Sequence, residues 1–295
     1  MKTRPVPAPV LAVAAIFSVQ FGNALAGSFF EQVGPLGAAA LRLTFGAILL
    51  AAVVRPRVRG WDARTWIGVA VLGVALAGMN SLIYLAIDRI PIGVAVTVEL
   101  FGPLAIAVAG IRRLIDAVWV LLAVAGVALL GLEAGGSLAP AGLLLAAGAA
   151  AFWGLYIVAS AHLGSRVRGV DGLSVSMLIA LVLVLPFGAA PALTAVTADP
   201  WLLAIFAGVA LLTSSIPYSL EFTALKSMPS RVFGVLSSLG PGVAALAGLV
   251  VLHQLLSLPQ LAAIVLVTAA SIGVVVTSRA PGPVPTPSPA PAGSL

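Results

Sequence analysis

The residue best placed to do chemistry is Glu99, within PIGVAVTVELFGPLAIAVAGIRR (Pro91–Arg113). An ionisable group inside an apolar span is costly to keep there and marks a route for substrate, ions or protons. Four residues on stands Gly102-Pro103. Proline has no N–H for the carbonyl four residues back, and its ring crowds that carbonyl; for Pro103 it belongs to Glu99. A carboxyl group and a freed backbone acceptor therefore fall at one level. Arg42, in GAAALRLTFG, is the second charge set in apolar sequence. Three arrangements stay open for the two: a permanent bridge between helices, a pair shared by substrate or water, or an Arg42 that holds backbone carbonyls and leaves Glu99 free.

The elements that must position these side chains are membrane spans. The chain of 295 residues is 61% hydrophobic and 8% charged, against about 25% charged in a soluble domain. A span needs roughly 20 apolar residues to cross ~30 Å of hydrocarbon. Ten segments qualify: 9–29, 35–54, 66–87, 91–111, 116–132, 140–162, 172–192, 201–223, 230–252 and 258–278. The expected class is an all-α polytopic membrane protein. The first stretch is long enough to span and ends without an A-x-A-like site, so it is expected to stay. The net charge of +6 lies in short loops and reflects orientation, with no nucleic acid implied. With the N-terminus inside, thirteen of the fifteen basic residues face the cytoplasm, Arg89 faces outside, and Arg42 lies within a span. This predicts both termini cytoplasmic. The segment 280–295, PGPVPTPSPAPAGSL after Ala280, is Pro-rich and expected to be disordered.

Depth follows at 1.5 Å per residue. Glu99 lies about 12 Å and Arg42 about 10 Å below the outer ends of their helices. Gln20 and Asn23 on the first helix, and Asn80 and Tyr84 on the third, reach comparable depth. Asn80 and Tyr84 are four apart and share a face. Trp153 and Tyr156 come from the sixth helix, and Ser214, Ser215 and Tyr218 flank Pro217 on the eighth. Such side chains either line a cavity or hydrogen-bond between helices, as polar residues in membrane bundles commonly do. Glu221 reads as a snorkelling acid near Lys226 and Arg231. His162 reads as interfacial, and His253 as a pH-sensitive group at the outer end of the ninth helix.

The chain also repeats. Under a shift of 138, Tyr84-x6-Pro91-x10-Gly102-Pro103 falls on Phe222-x6-Pro229-x10-Gly240-Pro241. Two halves of five spans follow, and an odd number makes them inverted. Interrupted helices at matching positions of inverted repeats point to a secondary transporter with its site at the repeat interface. Gly102, Pro103, Gly240 and Pro241 are then the expected bending points. Pro241 would free the carbonyl of Ser237, so the second half has a hydroxyl where the first has an acid.

These residues resemble a known family. GMNSLIYLAIDRIPIGVAVTVELFGPLAIAV followed by RRLIDAVWVLLAVAG is similar to the drug/metabolite transporter superfamily. With GAAALRLTFG, AAFWGLYIVAS and SIPYSLEFTALKSMPSRVFGVLSSLGP, the chain looks most like the inner-membrane threonine and homoserine exporters of the EamA type. The resemblance covers about residues 8–279. It implies two EamA-like repeats, 8–133 and 139–279, in a bacterial inner membrane, and export of small amino acids by proton antiport. Two departures matter. The family pattern often has an acid where this chain has Gly240, and Gly-Glu where it has His253-Gln254. Both leave proton coupling to Glu99.

Apolar surroundings favour a neutral acid and a nearby cation favours the carboxylate. A substrate ammonium and a proton can thus compete for Glu99, which is the minimum for antiport. The partners implied are a small-molecule substrate (an amino acid or similar metabolite), protons and the lipid bilayer; a homodimer is compatible with the sequence, and no cofactor is implied. The alternatives are export of another metabolite or a drug, and an intramembrane enzyme. The enzyme lacks support: there are two histidines in different halves, no cysteine, and no HExxH or GxSxG.

Overall fold

A computed structural model describes residues 7–109, 114–132, 138–164, 166–167, 170–217, 220, 236 and 238–277. Every regular element among them is a helix. In chain order these are α1 (Ala8–Gly27), α2 (Phe30–Val33), α3 (Pro35–Val54), α4 (Ala63–Ile87), α5 (Ile92–Glu99), α6 (Phe101–Ala109), α7 (Leu114–Leu132), α8 (Pro140–Gly164), α9 (Asp171–Ala198), α10 (Trp201–Ala210), α11 (Gly240–Val251) and α12 (Leu258–Thr277). Between α10 and α11 lies a π-helical turn, Leu211–Ser215.

Local sequence explains where the helices begin. Prolines in the first turns of α1, α3 and α11 cost nothing there, because the N–H they lack has no partner in the helix. Asp62 caps α4, its carboxylate accepting from the Thr65 N–H at 2.8 Å. Gly34 turns the chain between α2 and α3 at φ +66°, where a side chain would be strained. The expected seventh span is longer than its sequence reading: α9 runs to Ala198 through Pro186 and Pro191.

Five helices, α1, α3, α4, α8 and α9, are long and apolar enough to cross a membrane. Shorter apolar helical stretches run over Ile92–Ile106, Leu121–Leu130, Trp201–Ser214, Gly240–Val251 and Leu258–Gly273. The outside of the bundle is apolar too, with Ile67, Leu121, Leu144, Phe187 and Trp201 exposed. Such a surface suits lipid, since exposed apolar patches of this extent are rare on soluble monomers. Small residues set the interior spacing. A Cβ at Gly188 would overlap the Leu36 carbonyl, and one at Gly37 would lie 3.2 Å from the Ala192 nitrogen, so α3 and α9 touch through their backbones.

The packing is interleaved. α4 lies along α8 and α9, α3 along α9 and α10, and α1 along α10 and α11. α8 also lies on α5 and α6, α5 on α11, and α7 on α12. Loops tie in as well: the Arg57 N–H donates to Asp171 at 3.2 Å, and Arg166 lies 3.8 Å from Asp62.

Candidate functional site

The helix carrying Glu99 is interrupted at that residue. Glu99 ends α5, Leu100 bridges, and α6 begins at Phe101. Leu100 donates to Val96 and Leu104 to Leu100, at 3.0 and 3.1 Å. Pro103 has no N–H to offer, so the Glu99 carbonyl loses its helical donor. A half-buried acid beside a carbonyl that lacks its usual donor makes a spot receptive to a cation. Gly102 also serves packing. A Cβ there would overlap the Ala150 carbonyl and sit 3.1 Å from the Gly154 nitrogen, so Gly102 lets α6 lie directly on α8.

Arg42 is buried in the middle of α3. Its Nη1 donates to Asn23 Oδ1 of α1 at 3.2 Å and to the Tyr84 hydroxyl of α4 at 3.3 Å. Its guanidinium also sits over the Tyr84 ring, 5.4 Å from the centroid, a cation–π geometry. Tyr84 is fully buried against Phe30 of α2. A guanidinium carries five N–H donors, and among the described residues Nε and Nη2 have no acceptor. Glu99 is the other charged group within a span, and Arg42 makes no ion pair with it. The two stand farther apart than the 4.0 Å of an ion pair. Of the three arrangements open in the sequence, the permanent bridge is absent from this conformation, and side chains rather than backbone carbonyls hold Arg42.

The other expected residues divide. Gln20 lies one turn before Asn23 on the same face of α1 and is buried. Its Nε2 stands beside Gly240, 3.7 Å from where a Cβ would be. Its Oε1 is buried with no partner among the described residues. Asn80 lies one turn before Tyr84, with its amide nitrogen given to the Leu76 carbonyl at 2.7 Å. Trp153 is half-buried on α8. Tyr156 lines a separate pocket of about 180 Å³ with Leu72, Ser160 and Leu173. Leu72 is twelve residues before Tyr84, about 18 Å along α4. Tyr218, Ser237 and Glu221 lie outside the described residues, as does the segment 280–295. Gly240 and Pro241 are buried in the first turn of α11.

Three features escaped the sequence reading. Gln254 Oε1 accepts from the Ile92 N–H at 3.0 Å and so caps α5 from the far end of α11. Gly248 leaves the room: a Cβ there would lie 2.8 Å from Gln254 Oε1. His253 precedes it at φ +53°. The third feature is the π-turn. Ile216 donates to Leu211 instead of Leu212, and the released Leu212 carbonyl accepts from Ser18 Oγ at 2.6 Å. Pro217 was its one visible signal, because a proline marks where helical bonding must loosen. A larger groove of about 520 Å³, between α6 and α8, is lined by Phe101, Ala105, Ile106, Leu155 and Val158 and contains neither Glu99 nor Arg42. Among the described residues no three His, Asp or Glu side chains gather as metal ligands.

Comparison with known proteins is decisive at this point. The EamA-like transporter family model matches residues 140–276. The threonine/homoserine exporter RhtA of Escherichia coli (strain K12) is 38% identical over 284 residues, covering 95% of this chain and 95% of that protein. Its namesake from Salmonella typhimurium (strain SL1344) is 38% identical over 280 residues, 93% of this chain and 94% of that protein. The chain belongs to the EamA-like transporter family. A solved crystal structure at 22% identity shares the fold, with a TM-score of 0.57 over 92% of this chain and 98% of the other. As an EamA-like protein the chain is a multi-pass membrane transporter, and its apolar exterior is the surface that lipid covers.

Proposed function

We propose that this EamA-like protein is a secondary transporter that exports small amino acids of the threonine and homoserine kind by proton antiport. The observation that carries the reading is the pair of held-apart charges. Arg42 is anchored on one nitrogen by Asn23 and Tyr84 with its other donors open, and Glu99 makes no ion pair with it. A zwitterion carries the two opposite charges that would complement them. Its carboxylate takes the open side of the guanidinium, where charge-assisted hydrogen bonds are strongest. Its ammonium goes to Glu99 and to the backbone carbonyl that Pro103 leaves without a helical donor. The near-full-length similarity to threonine/homoserine exporters supports the same substrate class.

Antiport follows if ammonium and proton exclude each other at Glu99. Substrate arriving from the cytoplasm displaces the proton, and outward opening lets the ammonium leave and a proton return. A substrate can shift the equilibrium between two access states only by binding them unequally. The interrupted α5–α6 helix is where that difference is expected to arise.

Ten spans in two inverted repeats, 8–133 and 139–279, complete the proposal. Its support is the packing, which survives exchange of the halves. α1 on α11 matches α8 on α5 and α6; α3 on α10 matches α9 on α4; α4 on α8 matches α10 on α1. The remaining pairs, α3–α9, α5–α11 and α7–α12, map onto themselves, as a two-fold axis requires. Helix starts keep the same offset, with Asp62 before α4 and Pro200 before α10. The basic loops support cytoplasmic termini in a bacterial inner membrane.

The test is efflux of radiolabelled threonine and homoserine from preloaded cells, with and without a protonophore. Efflux above that of cells lacking the protein, slowed by the protonophore, is expected. Efflux equal to that of empty cells would refute amino-acid export; efflux untouched by the protonophore would refute antiport.

A further inference from the structure

Gln20 is the polar side chain near this site that the charges leave unused. We infer that Gln20 reads the substrate's side chain, its Oε1 accepting a hydrogen bond from a hydroxyl group, which makes it a specificity-determining residue. The inference rests on the amino-acid reading above and deepens it.

The side chain is 9% exposed and its Oε1 has no partner among the described residues. A buried amide oxygen without a donor is costly, and more so in hydrocarbon, where water does not compensate it. By contrast the neighbouring polar groups are engaged: Asn23 Oδ1 holds Arg42, and the amide nitrogen of Asn80 bonds its own helix. A group kept buried and unsatisfied beside a ligand site is suited to a donor that arrives with the ligand.

Charge matching says which donor. An ammonium is best served by the carboxyl group of Glu99, and a carboxylate by Arg42. The amide oxygen carries only partial charge and suits a neutral donor. Position agrees. Gln20 is three residues from Asn23, about 4.5 Å along α1, and Asn23 directly holds the guanidinium. A hydroxyl on the β or γ carbon of an amino acid lies within a few ångströms of its carboxylate. Gly240 leaves the amide nitrogen room on its other side.

Specificity of this kind is strong, because an analogue lacking the hydroxyl strands a buried acceptor. The test uses isosteric pairs in cells carrying the full chain: threonine against valine, and homoserine against norvaline. The wild type is expected to export the hydroxylated member about tenfold or more faster. In Gln20→Met, which keeps the length and removes the acceptor, that ratio should fall toward one at equal protein level in the membrane. Gln20→Asn, which keeps the amide, should retain part of the preference. An unchanged ratio in Gln20→Met overturns the inference and leaves amino-acid export standing. Equal export of both members by the wild type overturns it too, without reference to any variant. A wild type that exports none of the four overturns this inference and the proposed function together.

Discussion

At Gly102-Pro103 and, 138 residues on, at Gly240-Pro241 the chain writes the same dipeptide, yet the surroundings differ. Gly102 is pressed on the backbone of α8 at Ala150 and Gly154. Pro103 withholds the usual helical donor from the Glu99 carbonyl, beside an acid. Gly240 instead faces the end of one flexible side chain, Gln20. Pro241 stands in the first turn of α11, where its missing N–H costs nothing. The first break therefore combines tight packing with a charge, whereas the described surroundings of the second hold a single side-chain tip. Sequence repetition preserves where a helix may break, while the neighbours decide what the break is for.

Removing the acid breaks this comparison most directly. In vesicles with an imposed proton gradient, Glu99→Gln is expected to reduce uphill amino-acid export to background. If uphill export survives, the two breaks differ in packing alone and coupling lies elsewhere.

The two glycines test the packing contrast. Gly102→Ala drives a methyl group into backbone and is expected to destabilise the protein by about 1–3 kcal/mol. Gly240→Ala meets, among the described residues, a side-chain tip in ordinary contact, with an expected change within about 0.5 kcal/mol. Thermal unfolding of the two variants in detergent should separate them; equal losses would show that the halves pack alike.

A smaller effect sharpens the same contrast at the far end of α5. Gln254→Ala strips the acceptor from the Ile92 N–H, at an expected cost of about 1 kcal/mol. Unfolding of this variant and of Gln254→Glu, which keeps an acceptor, should bracket that loss, and no difference from wild type would remove Gln254 as a tie between the halves.

The smallest effect is at the helix starts. Asp62 caps α4, whereas its equivalent Pro200 gives α10 no side-chain cap. The Asp62 carboxyl is held below its ordinary value of 3.8, first by the Thr65 hydroxyl, then by the Thr65 N–H. A folded value below the unfolded one means stability present above pH 3.8 and lost as pH falls through the folded value. The difference in melting temperature between wild type and Asp62→Asn should therefore shrink on acidification below that range. The group is fully exposed, so the difference is expected to be slight; one that grows on acidification would contradict the cap.

Much was legible along the chain. Glu99 in an apolar run, Pro103 four residues later, the basic loops and the doubled Pro-x10-Gly-Pro spacing are all local patterns, and each has a local physical cause. Five of the expected spans came through for the same reason, because the need for some twenty apolar residues acts on one segment at a time. The partners of Arg42 did not. Equal depth allowed Glu99, Asn23, Tyr84 or a backbone carbonyl, and only the packing of α1, α3 and α4 selected Asn23 and Tyr84. Gly102 read as a bending point, and its contact with α8 left no sign along the chain. Nothing near Gln254 announced that it would cap a helix 162 residues away.

The reason is common to these cases. In a soluble helix the polar stripe tells which face is turned outward. Here helices are apolar all round because lipid outside and protein inside accept the same side chains, so facing leaves little trace in the sequence. Composition and spacing determined that the chain spans a membrane, where its breaks fall and which residues are charged within it. Tertiary structure decided which faces meet, and with them whether Arg42 is locked to Glu99 or held off it with donors to spare.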